Sequence, residues 1–286
     1  MQTLWQDLRY GARILIKKPG FTIVAVLTLA LGIGVNTAIF STVNGFIIRP
    51  LPVENPEELV EPFWGAKKDL EVWNSFSYPN YADYRDRNRV FSGLLAWQMT
   101  SAGISNRADR SAGEMSRADV VWGELVSGNY FDVLGVKAAL GRTFLPEEDR
   151  TPNAHTVVVL GHALWQQRFG SDSSIVGKQV YLNGIPFTVI GVAPAGFKGV
   201  KFAIRQEFWA PLMMQSRFGY PDQWQTHREW QNWRLLGRLK PGVTLQQARA
   251  DLNRIANELA AQYPNSNADT KIADPAGFCG SELMAT

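Results

Sequence analysis

Hydrophobic positions are distributed very unevenly along the chain. From Phe21 to Ile48 the sequence reads FTIVAVLTLALGIGVNTAIFSTVNGFII, without a charged residue. Lys17 and Lys18 precede the run and Arg49 follows it. A helix rises about 1.5 Å per residue, and about 20 apolar residues cross the hydrocarbon core of a bilayer. The run therefore predicts one transmembrane helix, assigned to residues 19–48. Ahead of it, Leu4, Trp5, Leu8, Ala12 and Leu15 recur at helical spacing, with Arg9, Arg13 and Lys17 on another face. That pattern predicts an amphipathic helix lying at the membrane interface over residues 1–18. Lys18-Pro19-Gly20 is read as a breaker between the two.

Beyond Arg49 the pattern changes to short runs punctuated by Gly, Pro and Asn. Ser77 to Trp97 predicts a helix with a charged face that leads into a strand; its Asp83, Arg85, Asp86, Arg87 and Arg89 read as a solvated face. Val120–Val126 alternates as a strand, and the helix YFDVLGV after Ser127-Gly128-Asn129 stops at Gly135. Residues 141–149 read as a loop, TVVVL at 156–160 as a strand, and HALWQQRFG as a helix ending at Gly170. Val180–Leu182 and Ile185–Val192 flank Asn183-Gly184, a type I′ hairpin signal, and Pro186 suggests that the second strand starts at an edge. Phe208–Leu212 and Trp233–Lys240 predict two more strands. Thr244-Leu-Gln-Gln247 is a capping box that opens a helix with Leu245, Ala248, Leu252, Ile255 and Leu259 on one stripe. The elements together predict an α+β fold: one transmembrane helix, then a mixed α/β domain over residues 49–271. Residues 272–286 lose the pattern and read as a divergent tail.

Charge sharpens the topology. The net charge is +3, from 29 basic and 26 acidic residues. Residues 1–49 hold five basic residues against Asp7, or +4, which leaves 24 against 25, or −1, for the rest. The sequence pI of about 9.0 thus comes from the N-terminal segment, and no nucleic-acid partner is expected. Basic residues before the span and Glu54, Glu57, Glu58 and Glu61 after it predict a cytoplasmic N-terminus and an outside domain. Trp5, Arg9, Arg13, Lys17 and Lys18 are the expected membrane-interface residues, with lipid as their partner. In the span, Ala30, Gly34 and Ala38 form a small-residue stripe beside Asn36, and these four are the expected helix-packing residues. Asn44 is a second polar group in the run.

Candidate chemistry is sparse. The single cysteine, Cys279, allows no disulfide within the chain and supplies no zinc ligand set. His155, His162 and His227 are accompanied by no metalloprotease or serine-hydrolase motif. Gly170 to Lys178, GSDSSIVGK, has the wrong glycine spacing for a phosphate loop, and Gln179 stands where Ser or Thr should hold magnesium. No ATP binding, catalytic residue, metal or cofactor is expected. Trp209, Phe218, Tyr220, Trp224, Trp230 and Trp233 crowd one region. They read as a subdomain packed around its rings, with an aromatic surface for sugars or apolar ligands as the other reading.

Five stretches carry a family resemblance: 8–41, 77–94, 126–149, 157–199 and 235–264. Among them are LRYGARILIKKPGFTIVAVLTLALGIGVNTAIFS, VSGNYFDVLGVKAALGRTFLPEED and LLGRLKPGVTLQQARADLNRIANELAAQYP. Together they resemble the permease subunits of MacB-like, or FtsX-like, ABC transporters. The likeness is narrower to a large multi-copy group of such permeases from soil bacteria. It implies a first transmembrane helix followed by a periplasmic core domain, built from a porter-like βαβ part and a second small mixed part. It implies an inner-membrane location, a separate ABC ATPase subunit, a second permease copy and periplasmic adaptor proteins as partners, and export or extraction work. In that family the permease passes ATP-driven motion outward and holds no catalytic residue. The family has three further transmembrane helices after the core domain. Nothing apolar follows here, so the expectation is a truncated or frameshifted product or a cut fragment. The other functional reading is a single-pass anchored interaction module; an anchored glycan hydrolase is a third, with no carboxylate pair to select it.

Overall fold

The computed structural model describes residues 17–43, 53–66, 75–105, 120–200, 205–268, 270–272 and 276–277. The chain divides into two compact units, 1–49 and 50–286. The first contains helix α1, Pro19–Val43, 25 residues without a charge. Pro19 opens it rather than only separating it from what precedes, because proline at the first helical position gives up an amide that has no helical partner anyway. Ile23, Val24, Val26, Leu27, Leu29, Leu31, Ile33 and Val35 are each more than half exposed. Thr22 and Thr28 satisfy their hydroxyls by donating to the carbonyls of Lys18 and Val24, at 3.1 and 2.8 Å. Among the described residues no helix is long and apolar enough to cross a membrane. A crossing by the whole of α1 belongs to the proposal below. The amphipathic helix expected over 1–18 lies, but for its last two residues, outside the described residues, as do Asn44 and the end of the expected span.

The second unit is built on one ten-stranded sheet. Its elements in chain order are β1 Leu59–Glu61, β2 Trp64–Ala66, α2 Tyr78–Arg87, β3 Phe91–Ser105, β4 Val120–Val126, α3 Tyr130–Leu134 and β5 Leu140–Gly141. There follow β6 Val157–Leu160, α4 His162–Phe169, β7 Gln179–Leu182, β8 Ile185–Val192, β9 Phe208–Pro211, β10 Arg234–Leu239, α5 Leu245–Gln262, α6 Pro264–Asn267, β11 Thr270–Ile272 and β12 Ala276–Gly277. The sheet order is β12-β1-β10-β3-β4-β9-β6-β8-β5, with β7 bridging β3 and β8; β2 and β11 form a separate pair.

Strand β3 joins two lobes. Its first half, from Phe91 to Trp97, pairs with β10, and β10 pairs with β1. Helices α2 and α5 bury Tyr81, Tyr84, Ala248, Leu252, Ile255 and Leu259 in one core with Leu94, Ala96 and Leu235 of these strands. The second half of β3 turns away to pair with β7, Ile104 facing Leu182. The pairings β3-β4, β4-β9, β9-β6, β6-β8, β8-β7 and β7-β3 then close a six-stranded ring. A closed ring leaves no free edge to template wrong pairing. Ala102, Ile104, Val121, Val158, Leu160, Leu182, Phe187, Val189 and Phe208 join the first core. Strand alternation sends their neighbours Val159, Ile190 and Trp209 to a second core around α3. Gly123 has no side chain because Phe208 lies against it: an added Cβ would sit 2.4 Å from that ring.

The mixed α/β class of the domain is the expected one. Asn183 and Gly184 take φ of 51° and 79°, the positive pair a type I′ turn requires. Thr244 accepts from Gln247 N at 3.3 Å, and Gln247 Oε1 accepts from Thr244 N at 2.8 Å, closing the capping box. Several readings differ. Leu245 leaves the buried stripe and is exposed, since it lies in the first turn of α5, beyond the sheet. Gly141, read as the start of a loop, joins Leu140 in a short strand at the edge of β8. Pro186 pairs with Tyr181 on one side, while the β6 ladder begins only at Thr188, so this proline costs no ladder bond. Within the stretch read as a tail, Ala276–Gly277 pairs with β1.

Candidate functional site

Three places in the described chain concentrate polar or aromatic groups. The first is buried. Glu124 on β4 is fully enclosed, and its Oε2 accepts from Tyr130 Oη at 2.6 Å and Trp209 Nε1 at 2.9 Å. These residues tie β4, β9 and α3 together through the second core. Burial, followed by the Glu124 charge, raises the Tyr130 pKa well above its ordinary value, so its phenol stays a donor.

The second is a lock on the entry to the domain. Arg238 on β10 donates from Nε to Val133 O at 2.7 Å and from Nη1 to Asn55 O at 3.1 Å and Glu58 Oε2 at 3.0 Å; Nη2 donates to Glu54 O. One planar guanidinium thus fastens the turn at 54–58 to the end of α3. Glu54 N donates to Leu134 O at 3.0 Å and adds a backbone tie.

The third is the aromatic segment between β9 and β10. Trp209, Trp224 and Trp233 are buried, whereas Phe218, Tyr220 and Trp230 are only partly so. The packing reading therefore holds for the first three. Tyr220, Trp224 and Trp230 line a cleft of about 450 Å³ whose polar lining includes Gln215, Glu229, Gln231 and Asn232. Arg228 holds this segment against α2, donating to Asn80 Oδ1 and Asp83 Oδ2, each at 2.6 Å. Its guanidinium lies 3.7 Å from the centroid of the Tyr263 ring. Asp83 also accepts from Arg87 at 2.7 Å, so this aspartate is a packed ion-pair centre and not part of a solvated face.

Among the described residues, the Asp149 carboxyl has its pKa pushed up. Burial raises it from 3.8 to about 7, against the hydrogen bond it accepts from Gly128 N at 2.8 Å. The charged groups facing it are Arg85 and, as phenols, Tyr78 and Tyr81. The folded chain keeps this proton up to about pH 7, while the unfolded chain releases it near pH 3.8. Stability from this group is present below about pH 4 and is lost as pH rises towards 7. The variant Asp149→Asn is expected to flatten that fall in urea-denaturation midpoints measured from pH 4.5 to 8 at constant ionic strength. An unchanged slope contradicts the assignment.

The expected site residues are placed as follows. Ala30, Gly34 and Asn36 are exposed on α1, and nothing lies within 4 Å of where a Gly34 Cβ would be. Ala38 continues the four-residue spacing along the same helix. Lys17 and Lys18 are exposed just before it. Trp5, Arg9 and Arg13 lie outside the described residues. No group of three or more His, Cys, Asp or Glu that could hold a metal occurs among the described residues. Sequence reading missed Glu124, Asp149, Arg228 and Arg238, most of whose partners come from distant parts of the chain.

The fold resembles that of three solved domains. A domain of a putative permease protein from Porphyromonas gingivalis superposes with a TM-score of 0.55 at 10% identity, over 81% of this chain and 96% of that one. The periplasmic region of MacB from Actinobacillus actinomycetemcomitans gives 0.51 at 15% identity, over 81% and 91%. The extracellular domain of the noncanonic ABC-type transporter YknZ from Gram-positive bacteria gives 0.51 at 16%, over 75% and 99%. The chain belongs to the MacB-like periplasmic core domain family, whose model matches residues 22–255. It is also 30% identical over 132 residues to the macrolide export ATP-binding/permease protein MacB of Salmonella paratyphi A and of Salmonella typhi, covering 46% of this chain. The chain spans about a fifth of the length of these curated relatives, 19% in the aligned part.

Proposed function

We propose that this chain is a permease subunit, or the N-terminal part of one, of an ABC transporter, working with a separate ATPase to export or extract a substrate. The observation that carries the reading is the family match, which extends from residue 22, inside α1, to residue 255, in α5. It joins the apolar helix and the folded domain in one unit of descent. In this reading the uncharged run of residues 19–48, of which α1 is the described part, crosses the inner membrane; about 20 apolar residues are needed to span the hydrocarbon core. Lys17 and Lys18, with Arg9 and Arg13, hold the N-terminus in the cytoplasm, Trp5 sits at the lipid interface, and the domain faces the periplasm. Ala30, Gly34, Asn36 and Ala38 form the face on which another helix packs, in the same subunit or a second permease copy. The domain works mechanically: motion started by ATP at the ATPase reaches it through the membrane helices, and periplasmic adaptors are its outward partners.

The topology is tested by alkaline phosphatase fusions, an enzyme active only outside the cytoplasm. Fusion after residue 271 is expected to be active and fusion after residue 18 inactive. The reverse pattern, or activity at both points, contradicts the orientation.

A further inference from the structure

We propose that the cleft beside Trp230 binds a short neutral oligosaccharide. The inference rests on the cleft itself and not on the transport reading. Its walls offer the half-buried rings of Tyr220 and Trp230 over the buried Trp224, and its rim offers Glu229, Gln231 and Asn232. No lysine or arginine lines it. An anionic ligand such as a phosphate or a lipid headgroup would meet no cation there and would face the Glu229 carboxylate. A purely apolar ligand would leave three polar side chains desolvated without partners. A sugar meets both requirements. Its C–H face lies on an aromatic ring, and its hydroxyls pair with amide and carboxylate groups that accept and donate at the edge.

One hydroxyl of the wall is held in place. Gln98 donates from Nε2 to the Tyr220 hydroxyl oxygen, and Gln215 Nε2 lies 3.4 Å from Gln98 Oε1. Burial raises the Tyr220 pKa, so the phenol keeps a proton that it can donate. The walls are also held before any ligand arrives. Trp224 packs edge-on to Tyr78 at 4.8 Å and His227 edge-on to Trp230 at 4.6 Å, while Arg228 clamps the segment to Asn80 and Asp83. A preformed cleft of about 450 Å³ lies in the range of small-molecule sites and suits a disaccharide.

The test is a titration of the full chain in lauryldimethylamine oxide, a detergent without a sugar headgroup. The probes are cellobiose, maltose and N,N′-diacetylchitobiose, with tri-lysine as the cationic alternative, read by tryptophan fluorescence and saturation-transfer NMR. At least one disaccharide is expected to saturate with a Kd of about 1 mM or below. Trp230→Ala is expected to weaken binding about tenfold through loss of stacking. Tyr220→Phe, which keeps the ring and removes the hydroxyl together with the bond it accepts from Gln98, is expected to weaken it about fivefold while the chain stays folded by circular dichroism. The proposal is overturned if no disaccharide saturates, if tri-lysine saturates in their place, or if the Tyr220→Phe and Trp230→Ala chains bind sugar like the parent. None of these outcomes bears on association with an ATPase, so this test and that of the transport reading fail separately.

Discussion

Replacing Glu124 by alanine is expected to destabilise the folded domain by about 3 kcal/mol, the largest single loss among the polar side chains described. The change removes the acceptor of two enclosed donors, Tyr130 Oη and Trp209 Nε1. Each stranded donor costs about 1–3 kcal/mol, and the space left by the side chain adds to that. Part of the loss is offset because a charge no longer has to be buried. Glu124→Gln keeps an acceptor at the same place and is expected to lose about 1 kcal/mol. Urea denaturation of the full chain, followed by tryptophan fluorescence, reads both. Equal losses for the two variants would mean that packing rather than acceptance by the carboxylate fixes β4, β9 and α3.

Arg238→Ala is expected to cost about 2–3 kcal/mol, because hydrogen bonds from a charged donor are worth roughly 1.5–3 kcal/mol where water cannot replace them. The Arg238 side chain is 14% exposed, so the carbonyls of Glu54, Asn55 and Val133 would be left poorly solvated. Arg238→Lys is expected to rescue little, since an ammonium cannot span three elements as a planar fork does. The loss should appear locally as faster hydrogen exchange at Glu54 and Glu58, whose amides donate to Leu134 O and Asn55 O. A stability change below about 0.5 kcal/mol, with unchanged exchange, would show that the turn is held by its backbone bonds alone. In the proposed permease this turn follows directly on the N-terminal unit.

What the sequence made legible was local. Asn183-Gly184, the capping box at Thr244, and the glycines ending α3 and α4 each state a backbone requirement within four residues, and each was readable. The ring was not readable. Its closure depends on the far half of β3 meeting β7, a pairing between Ile104 and Leu182 that no periodicity encodes. Strand parity gives no hint of Glu124. It shares a face with Trp122, which is 46% exposed, yet is itself fully buried, because it reaches Tyr130 of α3 and Trp209 of β9 in the second core. Asp83 sat in a run of charges that reads as solvated, and its principal partner, Arg228, lies 145 residues away. The aromatic cleft was half legible. The crowding of rings was plain, but which rings enter the core and which are left to line a cleft follows only from the path of the chain between β9 and β10. The strongest functional signal was the combined resemblance of five stretches, which the family match over residues 22–255 bears out.

The central claim is that this chain is part of an ABC permease, and purification of the affinity-tagged full chain from the membranes of its native host tests it most directly. The account predicts that an ABC ATPase copurifies and that its ATP hydrolysis is faster in the presence of the chain than alone. Recovery of the chain without any ABC ATPase, or an ATPase whose turnover ignores it, would contradict the account.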